Sequence, residues 1–130
     1  MITLSNIRDW LKSFKIAQHY YIGKLDSKQD KSLGVYTLKK SDSPVTAIGE
    51  NSTYDIIGVS LLIHWNNNAN EAETAARRLF EALRTVKNVE IDDTKIYMIQ
   101  LLVPEPVDVG TDEYGIYERV IEMNLYYERI

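Results

Sequence analysis

The chain holds 130 residues, with 15 Lys and Arg against 19 Asp and Glu, a net charge of -4 at neutral pH, and no cysteine. Such a length suits about one domain with its own core, and the negative balance argues against a protein that coats duplex DNA through clustered Lys and Arg. The lack of thiols excludes disulfides, thiolate zinc sites and cysteine nucleophiles.

The N-terminal "MITLSNIRDWLKSF" carries charges within its apolar pattern and no small-residue cleavage site. No apolar run nears the roughly twenty residues that span a bilayer, so a soluble, unsecreted protein without membrane contact is expected. Within this stretch Ile7, Trp10, Leu11 and Phe14 stand at i, i+3, i+4 and i+7, the spacing of an amphipathic helix, with Thr3 or Ser5 able to cap its start. The runs "QHYYIGKL" and "SLGVYTLKK" are rich in β-formers, and the polar "DSKQDKS" between them predicts a hairpin tip joining an antiparallel pair. The small polar residues of 41–53, with Pro44 and Gly49 among them, predict a mobile loop.

From Tyr54 the chain turns strongly apolar. In "YDIIGVSLLIHW" the set Ile57, Val59, Leu61, Ile63 and Trp65 alternates with Ile56, Gly58, Ser60, Leu62 and His64. Because Ile56 and Leu62 sit on the second face, the strand is expected to be central and covered on both sides, by a helix or by a neighbouring subunit. Asn66 to Asn68 suit a tight turn, and Asn70 with Glu73 three residues on predicts a capped helix start. Behind it Ala72, Ala75, Ala76, Leu79, Leu83 and Val86 form a 3.6-period stripe with Phe80 at its margin.

Two further strands are expected, one in "KIYMIQLLV" and a long one from Tyr114 onward, in which Tyr117, Ile121, Met123, Leu125 and Tyr127 share a face. Between them "PEPVDVGTDEYG" reads as an exposed acidic loop carrying Glu105, Asp108, Asp112 and Glu113. The order α, β, β, β, α, β, β predicts an α+β fold, a mostly antiparallel sheet with two helices packed on one face, in one domain over residues 1–130.

Catalytic and cofactor chemistry finds little support. The two histidines, His19 and His64, lie in different strands without a spaced partner, too few for a zinc site. The scattered glycines form no phosphate-binding motif, and no serine sits in a nucleophile elbow. Asp92 with Asp93, or Glu105 with Asp108, could in principle serve as acid and base, but adjacent strand or loop carboxylates are usually solvated. No enzyme activity, cofactor or metal is expected.

The conspicuous feature is aromatic. Nine tyrosines and two tryptophans supply the rigid, amphipathic groups that anchor interfaces. Tyr20 and Tyr21, and again Tyr126 and Tyr127, are adjacent, so within a strand one of each pair points away from the core. Together with Ile56 and Leu62 they are the candidate subunit interface.

The first helix "NIRDWLKS", the strand "YYIGKL", the apolar strand ending in tryptophan, the succession "NEAETAARRLFEAL" and the tyrosine-rich terminal strand resemble the minor capsid and tail-terminator proteins of long-tailed bacteriophages and prophages. The resemblance spans nearly the whole chain and rests on element order and length rather than on a signature motif. It implies an α+β fold, assembly as a typically hexameric ring at the head-proximal end of the tail tube, contact with the tail tube and head-completion proteins, assembly in the host cytoplasm, and no catalysis. In such a ring the acidic segment with Glu105, Asp108, Asp112 and Glu113 would line the lumen and repel passing DNA, without specific nucleic-acid binding. A cellular ligand-binding or regulatory module, with a pocket near Trp65 and Phe80, is the competing expectation.

Overall fold

A computed structural model describes residues 2–26, 28–38 and 54–129; the loop expected over 41–53 lies outside the described residues. Helix α1 (Leu4–Leu11) starts at Thr3. The Thr3 hydroxyl accepts the Asn6 amide at 3.2 Å, and Asn6 Oδ1 accepts the Thr3 amide at 3.0 Å. This reciprocal cap satisfies two amides that a helix start would otherwise leave open. A 3-10 turn, Lys12–Phe14, extends the helix and ends at Lys15, whose φ of 56° breaks the spiral.

Seven strands and a second helix follow: β1 (His19–Ile22), β2 (Ser32–Thr37), β3 (Tyr54–His64), α2 (Ala69–Arg84), β4 (Lys87–Ile91), β5 (Thr94–Leu101), β6 (Val107–Thr111) and β7 (Tyr117–Glu128). They form one sheet in the order β1-β2-β3-β7-β5-β4, with β6 pairing β7 beyond the end of β5. The expected class, α+β with a mostly antiparallel sheet and two helices on one face, is what the chain adopts. β3 is central as expected, flanked by β2 and β7.

The expected hairpin between β1 and β2 does not form. These strands pair in parallel, His19 opposite Ser32 and Ile22 opposite Val35. Lys31 decides it: with φ of 50°, it donates its amide to the Trp65 carbonyl at 2.6 Å while its own carbonyl accepts the amides of Gln18 and His19. The start of β2 is thereby pinned beside the start of β1, and residues 23–31 are long enough to carry the chain back. Composition could not reveal this, because the anchor is a backbone contact with a residue far along the chain.

Two strands went unanticipated. β4 is a short, largely exposed edge strand joined to β5 through Asp92 and Asp93, whose φ angles of 49° and 65° make the primed two-residue turn that matches strand twist. β6 occupies the segment expected to be an acidic loop, and all five of its residues are exposed. Its regular pairing to β7, Val107 opposite Val120 and Thr111 opposite Tyr117, is interrupted by a bulge at Val109. The helix cap also sits elsewhere than expected. Asn68, not Asn70, is the N-cap of α2, its side chain accepting the amides of Asn70 and Glu71. Asn66 Oδ1 in turn accepts the Asn68 amide, so the asparagine run forms the turn it was expected to form.

The core lies between the helices and one sheet face. Val35, Val59, Leu61, Ile121, Met123 and Leu125 are fully buried there, against Ile7 and Leu11 of α1 and Ala72, Ala76, Leu79 and Leu83 of α2. The alanines of α2 keep side-chain bulk low where the helix meets the sheet. Phe80 is buried rather than marginal.

On the opposite face Gly34 and Gly58 let neighbouring side chains lie flat on the sheet. A Cβ at Gly34 would come 2.8 Å from the Tyr36 ring and 3.2 Å from Leu25, and one at Gly58 would meet Asn124 and Leu38. Gly34→Val is therefore expected to cost about 2 kcal/mol through overpacking, read as a lower urea midpoint at unchanged slope.

Candidate assembly surface

The outer sheet face is built by alternation. Residues Ile56, Gly58, Ser60 and Leu62 of β3 and Val120, Glu122 and Tyr126 of β7 point away from the helices and are half-buried, whereas their alternate neighbours fill the core. Ile56 stands opposite Tyr126, and Leu62 opposite Val120 and Gly34. Polar groups are interleaved: the Tyr126 hydroxyl and the Asn124 amide both donate to Gln100 Oε1, at 3.0 and 3.2 Å. The Tyr54 and Tyr126 rings meet at 5.7 Å. An apolar surface cut by satisfied polar groups has the composition of a contact surface rather than of a core.

Each tyrosine pair divides between faces as strand geometry requires. Tyr21 and Tyr126 lie on the outer face, Tyr21 opposite Gly34 and lining a cleft of about 350 Å³ with Lys24, Leu25 and Asp26. Tyr20 and Tyr127 instead pack against the core, and the Tyr20 hydroxyl accepts the Ala17 amide at 3.1 Å. Of the candidate interface residues the fold brings Ile56, Leu62, Tyr21 and Tyr126 onto one face and turns Tyr20 and Tyr127 to the other.

Burial pushes the Tyr36 and Tyr127 phenols above their ordinary value. For Tyr36 desolvation is the main cause, opposed by a backbone hydrogen bond with Leu25 and reinforced by the Glu118 charge; for Tyr127 desolvation is reinforced by Asp55. A raised folded-state pKa means the folded chain holds these protons more tightly than the unfolded one. The stabilisation is complete below the unfolded tyrosine value near 10 and is lost as pH rises through the folded values. Thermal melts should accordingly lose stability above about pH 10, with tyrosinate absorbance from two residues appearing at higher pH than it does in the unfolded chain.

Where β3 ends, a buried polar cluster ties three segments together. His64, only 1% exposed, has Nδ1 at 2.8 Å from Glu118 of β7 and Nε2 at 3.9 Å from Asp112 in the β6–β7 turn. Asp112 Oδ1 accepts the amides of Tyr114 and Ile116, closing the turn, while its Oδ2 is buried and makes no hydrogen bond among the described residues. In the sequence His64 stands at the end of an apolar strand without a spaced partner. Its alternation with Ile63 and Trp65 placed it on the outer face, but nothing in spacing linked it to carboxylates so far along the chain.

The acidic residues are less free than their sequence suggests. Asp108 lies 3.7 Å from Arg119, Glu105 lies 3.7 Å from Arg77, and Asp112 turns inward, while Glu113 is exposed at the turn. Asp92 and Asp93 form the β4–β5 turn, and Asp92 accepts the Asn6 side-chain amide at 3.1 Å. Trp65 borders a cleft of about 350 Å³ beside the first turns of α2, with Lys31, Asn70, Glu71 and Arg78; Phe80 does not line it. Among the described residues no group of three or more His, Asp or Glu is arranged to hold a metal ion, and no helix is long and apolar enough to cross a membrane.

Among the described residues the arrangement is that of an α+β sheet protein closed by helices on one side and half open on the other. The chain belongs to the bacteriophage tail terminator family, which it matches over residues 3–129. No curated protein matches it. It is thus a structural protein of a phage tail, a virion component that contacts other virion proteins, from a structural rather than an enzymatic family.

Proposed function

We propose that the protein is a ring-forming connector subunit, acting without catalysis, which closes the head-proximal end of the tail tube as a hexamer and receives the head-completion protein there. The chain acts as one domain, assembled into the virion in the bacterial cytoplasm. The observation that carries this reading is the second sheet face: both described helices pack on the other side, leaving Ile56, Leu62, Tyr21 and Tyr126 half-buried. A monomer gains little from apolar and aromatic groups placed there, whereas an assembly buries them. The arm that carries Glu105, Asp108 and Glu113 at its surface, with Asp112 turned in toward His64, faces the passage, where its negative charge keeps DNA from sticking.

Gold-labelled antibody on intact virions, with native mass spectrometry of the purified protein alone and on isolated tails, tests the proposal. Label confined to the head-tail junction and a six-subunit species are the expected results. Label along the tube, or a protein that stays monomeric even on tails, refutes it.

A further inference from the structure

We propose that copies of this chain join edge to edge: the outer edge of β6 in one copy pairs antiparallel with the outer edge of β1 in the next, so that one sheet runs on around the ring. The inference rests on the ring reading above and names the strand edges that join its subunits, in addition to the outer sheet face.

Both edges are open among the described residues, since β1 pairs only with β2 and β6 only with β7. In the parallel β1–β2 ladder the amides of His19 and Gly23 bond inward to Lys31 and Val35. The alternate residues Tyr20 and Ile22 therefore turn their backbone groups outward, which is what a pairing strand needs.

The two edges are also level. Register places Tyr21, Gly34, Leu62, Val120 and Val107 in one row across β1, β2, β3, β7 and β6. Tyr20, Leu33, Ile63, Arg119 and Asp108 form the next row, and His19, Ser32, His64, Glu118 and Gly110 the third. β4, the other terminal strand, sits lower, beside β5 and the far end of β7. Sideways repetition of the subunit therefore brings β6 against β1 over their shared height. Direction agrees as well. β1 runs with β2 and against β3, while β6 runs against β7 and so with β3; two copies presenting the same sheet face meet with β6 and β1 antiparallel.

Charge and apolar surface single out a second copy as the occupant. Residues 102–119 hold five carboxylates against Arg119, with Asp108 beside that arginine, Glu105 beside Arg77, Asp112 and Glu118 turned to His64, and Glu113 exposed. Residues 12–31 hold Lys12, Lys15, Lys24, Lys28 and Lys31 against Asp26 and Asp30, with Lys12 beside Asp9. The excess is negative at one edge and positive at the other. Four of the large apolar side chains left exposed sit at these two edges: Ile22, Val107, Val109 and Tyr114, the last 62% exposed. Two different patches that match in height, direction and charge make a heterologous contact, the kind that closes into a ring.

The absence of cysteine makes the test direct. Within one chain four strand spacings of ~4.8 Å hold Tyr21 and Val107 about 19 Å apart, far beyond the reach of a disulfide. Oxidation of the double variant Tyr21→Cys and Val107→Cys should give a covalent ladder rising to the ring size, and the control pair Asn88→Cys and Val107→Cys should not. Ile22→Pro, which removes an outward amide and keeps those of Tyr21 and Gly23, should weaken assembly about tenfold or more with little change in melting temperature. Rings seen by native mass spectrometry without a ladder, or a ladder equally strong in the control pair, overturn the edge pairing and leave the ring reading standing. Failure to self-associate at any concentration and on isolated tails overturns both.

Discussion

Replacing His64 by leucine should lower stability by about 3 kcal/mol, or roughly 10 °C in melting temperature for a chain of this size. The ring is buried and sits 2.8 Å from the Glu118 carboxylate and 3.9 Å from Asp112. Leucine fills similar space but leaves two mostly shielded carboxylates, 20% and 17% exposed, facing an apolar group. The cost comes from those desolvated acceptors more than from the lost hydrogen bond. The double variant His64→Leu with Glu118→Leu should therefore be less destabilised than the sum of the two single changes, by 1 kcal/mol or so. Amide exchange should locate the damage: the Tyr114 and Ile116 amides, which Asp112 holds, should exchange faster in His64→Leu, while the buried strands change only with global stability. Unchanged melting and exchange would show that the cluster is incidental to the hairpin.

Ile56→Glu should reduce ring assembly at least about a hundredfold, close to 2.8 kcal/mol per contact. Ile56 is half-buried on the outer face opposite Tyr126, whose ring also meets Tyr54. In a free monomer the new carboxylate can reach water, so folding is little affected. Within an assembly it would be shut away from solvent without a cation, once in every subunit. Sedimentation velocity across a concentration series measures the loss, and the solvent-facing change Arg78→Glu on α2 serves as a control. Normal rings from Ile56→Glu would remove the outer face from the assembly contact, whatever the edges do.

Periodicity alone made the central layer of this protein readable. The alternation in residues 54–64 and 117–128 and the alanine and leucine stripe of α2 recur at fixed intervals, so β3, β7 and α2 sit where the sequence places them. The same alternation required the members of Tyr20–Tyr21 and of Tyr126–Tyr127 to part, but the structure shows that Tyr21 and Tyr126 are the ones that share a face with Ile56. Short elements escaped. β4 and β6 have five residues each and little apolar contrast, because an exposed edge strand needs backbone pairing more than buried side chains. The resemblance to tail terminators followed element order and length, and it survived these omissions because the central elements carry that order.

What the sequence by itself determined is which residues of β3, β7 and α2 share a face, the Thr3 cap and the asparagine turn before α2, and the absence of thiol chemistry, since all follow from local spacing and composition. Only the tertiary structure decided the parallel pairing of β1 with β2, the joining of His64 to Glu118 and Asp112, and the levelling of β1 with β6. Each depends on contacts between residues tens of positions apart, set by Lys31 bonding to Trp65 and by the register of β7 on β3. Backbone hydrogen bonds are available to every residue alike, so no side-chain pattern announces which distant strands they will join.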